Sequence, residues 1–270
     1  EFLMSVGEYW VREFDIDGWR LDVPGEISTP GFWEEFRQRT RAVKSDCYTV
    51  GEIWHAAPEW LKGDRFDATM NYTFAAATIA FMGGERVSQG LVADRAYDPY
   101  PGIDAEEFDR RIRGLLDLYD AETSQVQLNL LDSHDVPRLL SVARGDKATL
   151  RLATLFQMTY PGAPCIYYGD EIALRGTKRY DRPHRDRDAR WPFPWHDRQL
   201  WDHQMLDHFR AAAALRHRYP VLRRGEMTTI YASGCQYAFL RHDAHSRVLV
   251  LINAGNDTAD VQLPLERFVG

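Results

Sequence analysis

The sequence predicts an α/β fold built on a parallel sheet, followed by a small antiparallel β module. Three observations carry this expectation. Strand-length apolar runs alternate with amphipathic helical stretches over residues 3–218, as βαβ units do. Polar, chemistry-bearing residues gather just after the strand-like runs. Beyond Pro220 the helical pattern stops, and four short strand-like runs follow, divided by turn residues.

The first helix is expected over residues 3–14, where Val6, Tyr9, Trp10 and Phe14 keep a three-to-four spacing. A turn leads to a strand at 19–23. Pro24, Gly25 and Pro30 mark a loop, and a helix over 32–43 is entered past Ser28 and Thr29 with Pro30 near its first turn. Residues 47–53, rich in β-branched and aromatic side chains, read as the next strand. A weak strand at 66–70 and a helix at 73–81 follow. The Gly/Asp/Pro-punctuated stretch 83–104 reads as a long loop with one helical turn. Then come a helix at 105–119, a buried strand at 126–131, a helix at 148–158 and a short buried strand at 165–168. A polar insertion spans 169–199, and a helix spans 200–218. The terminal module has strands at 228–231, 237–241, 248–253 and 261–263. Two units are therefore expected, 1–219 and 220–270, the second incomplete at about fifty residues.

Composition narrows the function. The net charge of −7, from 33 Lys+Arg against 40 Asp+Glu with no basic cluster, disfavours nucleic acid and anionic membrane as partners. No apolar stretch approaches the ~18 residues of a membrane helix. Cys47, Cys165 and Cys235 are odd in number and far apart, so they form neither a disulfide framework nor a metal-type pair and read as buried reduced thiols, which points to the cytoplasm. The chain opens at Glu1 and runs straight into an amphipathic pattern, so the natural N-terminus is expected upstream.

Three clusters carry chemistry. In Asp17-Gly18-Trp19-Arg20-Leu21-Asp22-Val23, Arg20 and Asp22 are two apart on a strand and share a face. A guanidinium beside Asp22 keeps it ionised, as a nucleophile requires; a structural ion pair is the alternative. In Val50-Gly51-Glu52-Ile53-Trp54-His55, Glu52 ends the next strand, one βαβ repeat on. Apolar neighbours suit it to general-acid work; a surface glutamate is the alternative. In Asn129-Leu130-Leu131-Asp132-Ser133-His134-Asp135, Asp135 follows a third strand, either as a site carboxylate or as a helix cap. Three such carboxylates on parallel strands would meet at the C-terminal strand ends of a barrel. Paired carboxylates flanking a glycosidic bond are the recurrent solution for its hydrolysis.

These motifs resemble three of the four short signature regions of the α-amylase family, glycoside hydrolase family 13. The surrounding sequence resembles its neopullulanase, cyclomaltodextrinase and maltogenic amylase group: Tyr9 to Phe14, Gly63 to Asp67 with Met70-Asn71-Tyr72, and Tyr167 to Ile172. The resemblance implies a (β/α)8 barrel, present from about its fourth strand onward, followed by part of an antiparallel β-sandwich domain. The first signature region has no counterpart. The implied activity is retaining hydrolysis of α-1,4-glucosidic bonds in maltooligosaccharides, cyclodextrins or pullulan, with an α-glucan oligosaccharide as partner; a truncated or non-catalytic relative, inactive as an isolated chain, is the alternative. Asp22 would be the nucleophile, Glu52 the acid/base and Asp135 the carboxylate gripping sugar hydroxyls. Arg20 and His134 would adjoin them, and Trp54 and His55 would line the leaving-group side. Asp186 and Arg190 resemble the group's D-x-x-x-R segment and would hold a sugar on the non-reducing side. Gly25 stands where relatives often carry Asn, so acceptor-side preferences do not transfer to it. No cofactor or metal site is identifiable: His203 and His208 lack the H-E-x-x-H pattern, and Asp181, Asp186 and Asp188 form no EF-hand loop. Calcium and homo-oligomerisation stay open for a longer parent.

Overall fold

The computed structural model describes residues 1–93, 97–177, 188–264 and 266. Helix α1 (Phe2–Phe14) leads to strand β1 (Gly18–Leu21), helix α2 (Phe32–Val43) to β2 (Tyr48–Gly51), and β3 (Ala68–Thr69) to α3 (Tyr72–Gly83). The short α4 (Gln89–Val92) precedes α5 (Ala105–Leu118) and α6 (Ala121–Val126). Strand β4 (Leu128–Leu130) is followed by α7 (Leu139–Val142) and α8 (Lys147–Thr159), then β5 (Ala163–Cys165), α9 (His203–Arg218) and α10 (Val221–Arg224). The chain closes on β6 (Glu226–Ser233), β7 (Gln236–His242) and β8 (Arg247–Asn253).

Strands β1, β2 and β3 pair in parallel and in chain order, as do β4 and β5. A parallel bridge from Met70 to Leu128 joins the two sets. Asparagines reinforce that joint. Asn71 caps α3 by accepting from Phe74 N at 3.1 Å and donates to Asn129 Oδ1 at 2.8 Å, and Asn129 donates on to Pro161 O at 2.7 Å. Gly18 is required where β1 enters the sheet, because a Cβ there would sit 2.0 Å from Tyr48 O.

Helix α3 is buried almost all round, as a central helix apolar on every side must be. Its Phe74 and Phe81 pack with Phe108 of α5 and Phe156 of α8. Strands β6, β7 and β8 form an antiparallel meander with a bulge between Thr229 and Tyr231. Tyr237 and Phe239 of β7 join the same ring cluster. A second cluster, with Met4, Trp33, Phe36, Ile53 and Phe66, lies under α1 and α2.

The structure corrects several expectations. Residues 261–263 are not a strand; among the described residues no strand pairs with them. The strand expected at 165–168 lies earlier, at Ala163–Cys165, because Tyr167 and Tyr168 belong to the turn beyond the sheet. Val126 closes α6 rather than opening β4. The stretch 83–104 contains α4 and a 3-10 turn at Gly84–Arg86. No helix among the described residues is long and apolar enough to cross a membrane.

Candidate active site

Each of the three carboxylates lies just beyond the C-terminal end of its strand: Asp22 after β1, Glu52 after β2 and Asp135 beyond β4. The register Leu21↔Gly51 sets Asp22 and Glu52 side by side. Arg20 spans them, with Nη1 at 2.6 Å from Asp22 Oδ1 and Nη2 at 3.0 Å from Glu52 Oε2. Its Nε donates to Met70 Sδ at 3.3 Å, which fixes the guanidinium plane.

The two carboxyls have opposite surroundings. Asp22 is 73% exposed and Glu52 6%. The Arg20 hydrogen bond foremost holds the Asp22 carboxyl below the usual carboxylate range against the cost of burial; the Arg20 charge, Glu52 and the His134 imidazole add to the lowering. Glu52 accepts from three donors: Arg20, Val23 N at 3.2 Å and Trp54 Nε1 at 3.3 Å. Trp54 is thus a donor to Glu52 as well as an apolar wall. Val23 is a β-branched residue at φ 35°, ψ 54°, a backbone region such residues rarely enter. That strained turn aims the Val23 N–H at Glu52.

A second group forms around Asp135. Its Oδ2 lies 2.8 Å from His134 Nε2, and its Oδ1 accepts from Arg190 Nη2 at 2.9 Å. Arg190 Nε also donates to His134 O at 3.1 Å, so one guanidinium clamps both ends of the dipeptide. Asp135 N donates to Ser133 Oγ at 3.1 Å.

The two groups are joined by a residue read from sequence only as part of a flanking motif. Tyr72, at the start of α3, stacks on Trp54 with ring centroids 4.0 Å apart, and its hydroxyl lies 2.9 Å from Ser133 Oγ. Burial pushes the Tyr72 phenol above its ordinary range, and the charges of Glu52 and Asp135 push it further. Both carboxylates therefore act on one buried hydroxyl. Its position immediately after the Asn71 cap marks the start of α3 but carries no signal of the contacts with Trp54 and Ser133.

The structure thus brings together Asp22, Glu52, Arg20 and Trp54 on one side, and Asp135, His134 and Arg190 on the other. His55 follows Trp54 in the same turn but is exposed. Asp186 lies outside the described residues. Arg20 and Asp22 share a face as expected, and Asp22 on that face is open to solvent. Trp191 and Trp195 are 49% and 67% exposed, and Trp195 packs against Phe193 and Trp201. Among the described residues no three metal-ligating side chains converge. Chemically, the arrangement offers a charged, accessible carboxylate beside a buried, firmly oriented one, with a third held by His134 and Arg190.

Comparison with known proteins gives this arrangement a context. The alpha amylase catalytic-domain family model matches residues 1–213. A cyclomaltodextrinase of Geobacillus thermopakistaniensis is 39% identical over 267 residues, 98% of this chain and 41% of that protein. Neopullulanase 2 of Thermoactinomyces vulgaris is 38% identical over 269 residues, again 98% and 41%. The chain thus spans about two-fifths of the length of these curated relatives. Among solved structures, the acarbose-soaked Nostoc punctiforme debranching enzyme superposes with a TM-score of 0.90 at 43% identity, over 98% of this chain and 54% of that one. The fold is accordingly TIM-barrel-like.

Proposed function

The chain belongs to the alpha-amylase family, whose catalytic domain it matches over residues 1–213, and on that premise we propose that it carries the catalytic carboxylates of a retaining α-glycosidase. The bonds cut are α-1,4-glucosidic links of maltooligosaccharides, cyclodextrins or pullulan. In the first step the Asp22 carboxylate attacks the anomeric carbon while Glu52 gives its proton to the departing glycosidic oxygen. In the second, Glu52 takes a proton from water, whose oxygen displaces Asp22 and restores the carboxylate. Asp135, clamped by Arg190 and His134, grips the sugar hydroxyls. The observation that carries the reading is the Arg20 bridge between Asp22 and Glu52. Neighbouring nitrogens of one guanidinium hold the two carboxyls close, which supports the spacing of about 5–5.5 Å used by retaining enzymes over the wider spacing of inverting ones.

Residues 1–219 are read as the C-terminal part of a (β/α)8 barrel, and 220–270 as the start of an antiparallel β domain. Of the three free cysteines only Cys47 is buried, not all three as expected, and an exposed free thiol at Cys235 favours a reducing compartment such as the cytoplasm. A second reading, in which the isolated chain holds glucan without turning it over, is favoured by one observation: among the described residues β1 pairs only with β2. Asp22 is then walled on one side.

Incubation with a fluorinated glucosyl fluoride, followed by peptide mass spectrometry, tests the assignment. The expected adduct is on Asp22. An adduct on another aspartate overturns the role, and cyclodextrin binding without any turnover selects the second reading.

A further inference from the structure

Beneath the Asp135 group lies a buried cluster that the proposed chemistry does not use. Asp132, Asp170 and Arg138 are 2%, 5% and 1% exposed. Arg138 Nη1 reaches Asp170 Oδ1 at 3.1 Å and Tyr168 O at 2.7 Å. Its guanidinium lies over the rings of Tyr167 and Tyr168, 4.4 and 4.9 Å from their centroids. Asp132 Oδ2 accepts from Leu139 N at 2.5 Å, while Asp132 Oδ1 is buried with no donor.

Two counts disagree with a fully ionised cluster. By charge, one guanidinium faces two buried carboxylates, and an unbalanced buried charge is costly. By hydrogen bonds, Asp132 Oδ1 has no donor unless a neighbouring carboxyl carries a proton. A single proton resolves both counts. We propose that Asp132 and Asp170 hold one proton between them, and that the resulting neutral cluster positions Asp135 and Arg190. Burial raises both carboxyls, Asp170 more strongly, and each acts on the other. Among the described residues, the other titratable or charged groups that face the pair are Arg138, Cys165 from β5, and Tyr167.

The connection to the site is short. Asp132 anchors Leu139 N, so it fixes both ends of the turn that displays Ser133, His134 and Asp135. Arg138 Nη2 and the Tyr167 hydroxyl both donate to Ala189 O, at 3.4 and 3.0 Å. Ala189 immediately precedes Arg190, the partner of Asp135. Asp132 and Asp170 are thus positioning residues. The shared proton stands without the glycosidase reading; the positioning role rests on it.

The wild-type chain labelled with carboxyl-¹³C aspartate, titrated from about pH 3 to about pH 8, reads the proton directly. One aspartate resonance is expected to remain at its protonated position well above the usual range near 3.9, and to vanish in both Asp132→Asn and Asp170→Asn. Titration of every aspartate within the ordinary range overturns the proposal. Maltotriose affinity by calorimetry reads the positioning. Asp170→Asn, which keeps a donor without the charge, is expected to bind within about threefold of wild type, and Asp170→Ala about tenfold more weakly or worse. The wild-type affinity should also decline at alkaline pH while that of Asp170→Asn does not. Equal affinity of the alanine and asparagine variants overturns the positioning role. Failure of the wild type to bind maltotriose defeats the function proposed above and the positioning role with it, whereas the proton is still decided by the carbon spectra.

Discussion

The Trp54 indole lies flat on the Tyr72 phenol, with ring planes 10° apart and centroids 4.0 Å apart. The stack spends one face of Trp54 on the protein, so only the opposite face is left for a pyranose ring. It also links the two halves of the site: Trp54 donates to Glu52, and Tyr72 meets Ser133 beside Asp135.

Removing the Tyr72 hydroxyl separates those roles. Tyr72→Phe keeps the stack and loses one buried hydrogen bond, so it should lower stability by about 1 kcal/mol. Tyr72→Ala removes a fully buried ring and should cost about 3–5 kcal/mol. Urea unfolding measures both, and maltooligosaccharide turnover should fall far more for alanine than for phenylalanine.

Arg20 sets the acid side of the pH profile. It holds the Asp22 carboxyl below the ordinary range, so Asp22 stays ionised as pH falls to the usual carboxylate region. In Arg20→Gln that support is lost, the Asp22 carboxyl returns upward, and the acid limb of kcat/KM should move to higher pH. The maximal rate should also drop, by roughly 10²-fold. An unmoved acid limb in this variant would show that Asp22 does not govern it.

Asp67 clamps α2 to the sheet. It accepts from Arg37 Nη2 at 2.7 Å, Arg41 Nη2 at 2.9 Å and Thr49 N at 2.8 Å. Burial opposes its charge, but these partners, Arg37 foremost, hold its carboxyl below the usual range. A depressed folded-state value means that the stabilisation is present above the unfolded-state value near 3.9 and is lost as pH falls through the folded one. Asp67→Asn should cost about 2–4 kcal/mol near neutrality, since Arg37 is left buried. The gap from wild type should narrow in strong acid, as thermal melts across pH would show.

Arg241 of β7 joins the terminal sheet to α8, and Arg216 of α9 gathers the carbonyls beside that seam; among the described residues neither has an acidic partner. Arg216 donates to Met158 O, Tyr160 O, Leu222 O and Gly162 O. Arg241 donates to Thr159 O, Leu222 O, Gly225 O and Glu226 O. Several of these carbonyls end α8, where a positive charge is favoured. Arg241→Met would fill the space but orphan buried carbonyls, and should destabilise the chain by about 3–5 kcal/mol in guanidinium melts.

Much of this was legible in the sequence, for stated reasons. Periodicity located the long helices, and the two-residue spacing of Arg20 and Asp22 foretold their contact. The Tyr72 link was not legible, because a tyrosine on a helix apolar all round reads as core until its neighbour across the sheet is known. Nor was the Asp132–Asp170 pair. Its members are 38 residues apart, and only the parallel pairing of β4 with β5 brings them together. The strand expected at 261–263 failed because alternation alone cannot supply a neighbour to bond with.

The ring cluster beneath the meander has a consequence for how this polypeptide can be divided. Tyr237 and Phe239 interlock with Phe81, Phe108 and Phe156, so the seam near Pro220 is a boundary in the chain but not in the packing. Excising the last fifty residues would bare an oily floor under α3, α5 and α8 and strip α8 of an arginine at its end. Such a cut should yield aggregates rather than a trimmed scaffold. Exchange of this β segment between relatives should succeed only when its inward-facing aromatics travel with it.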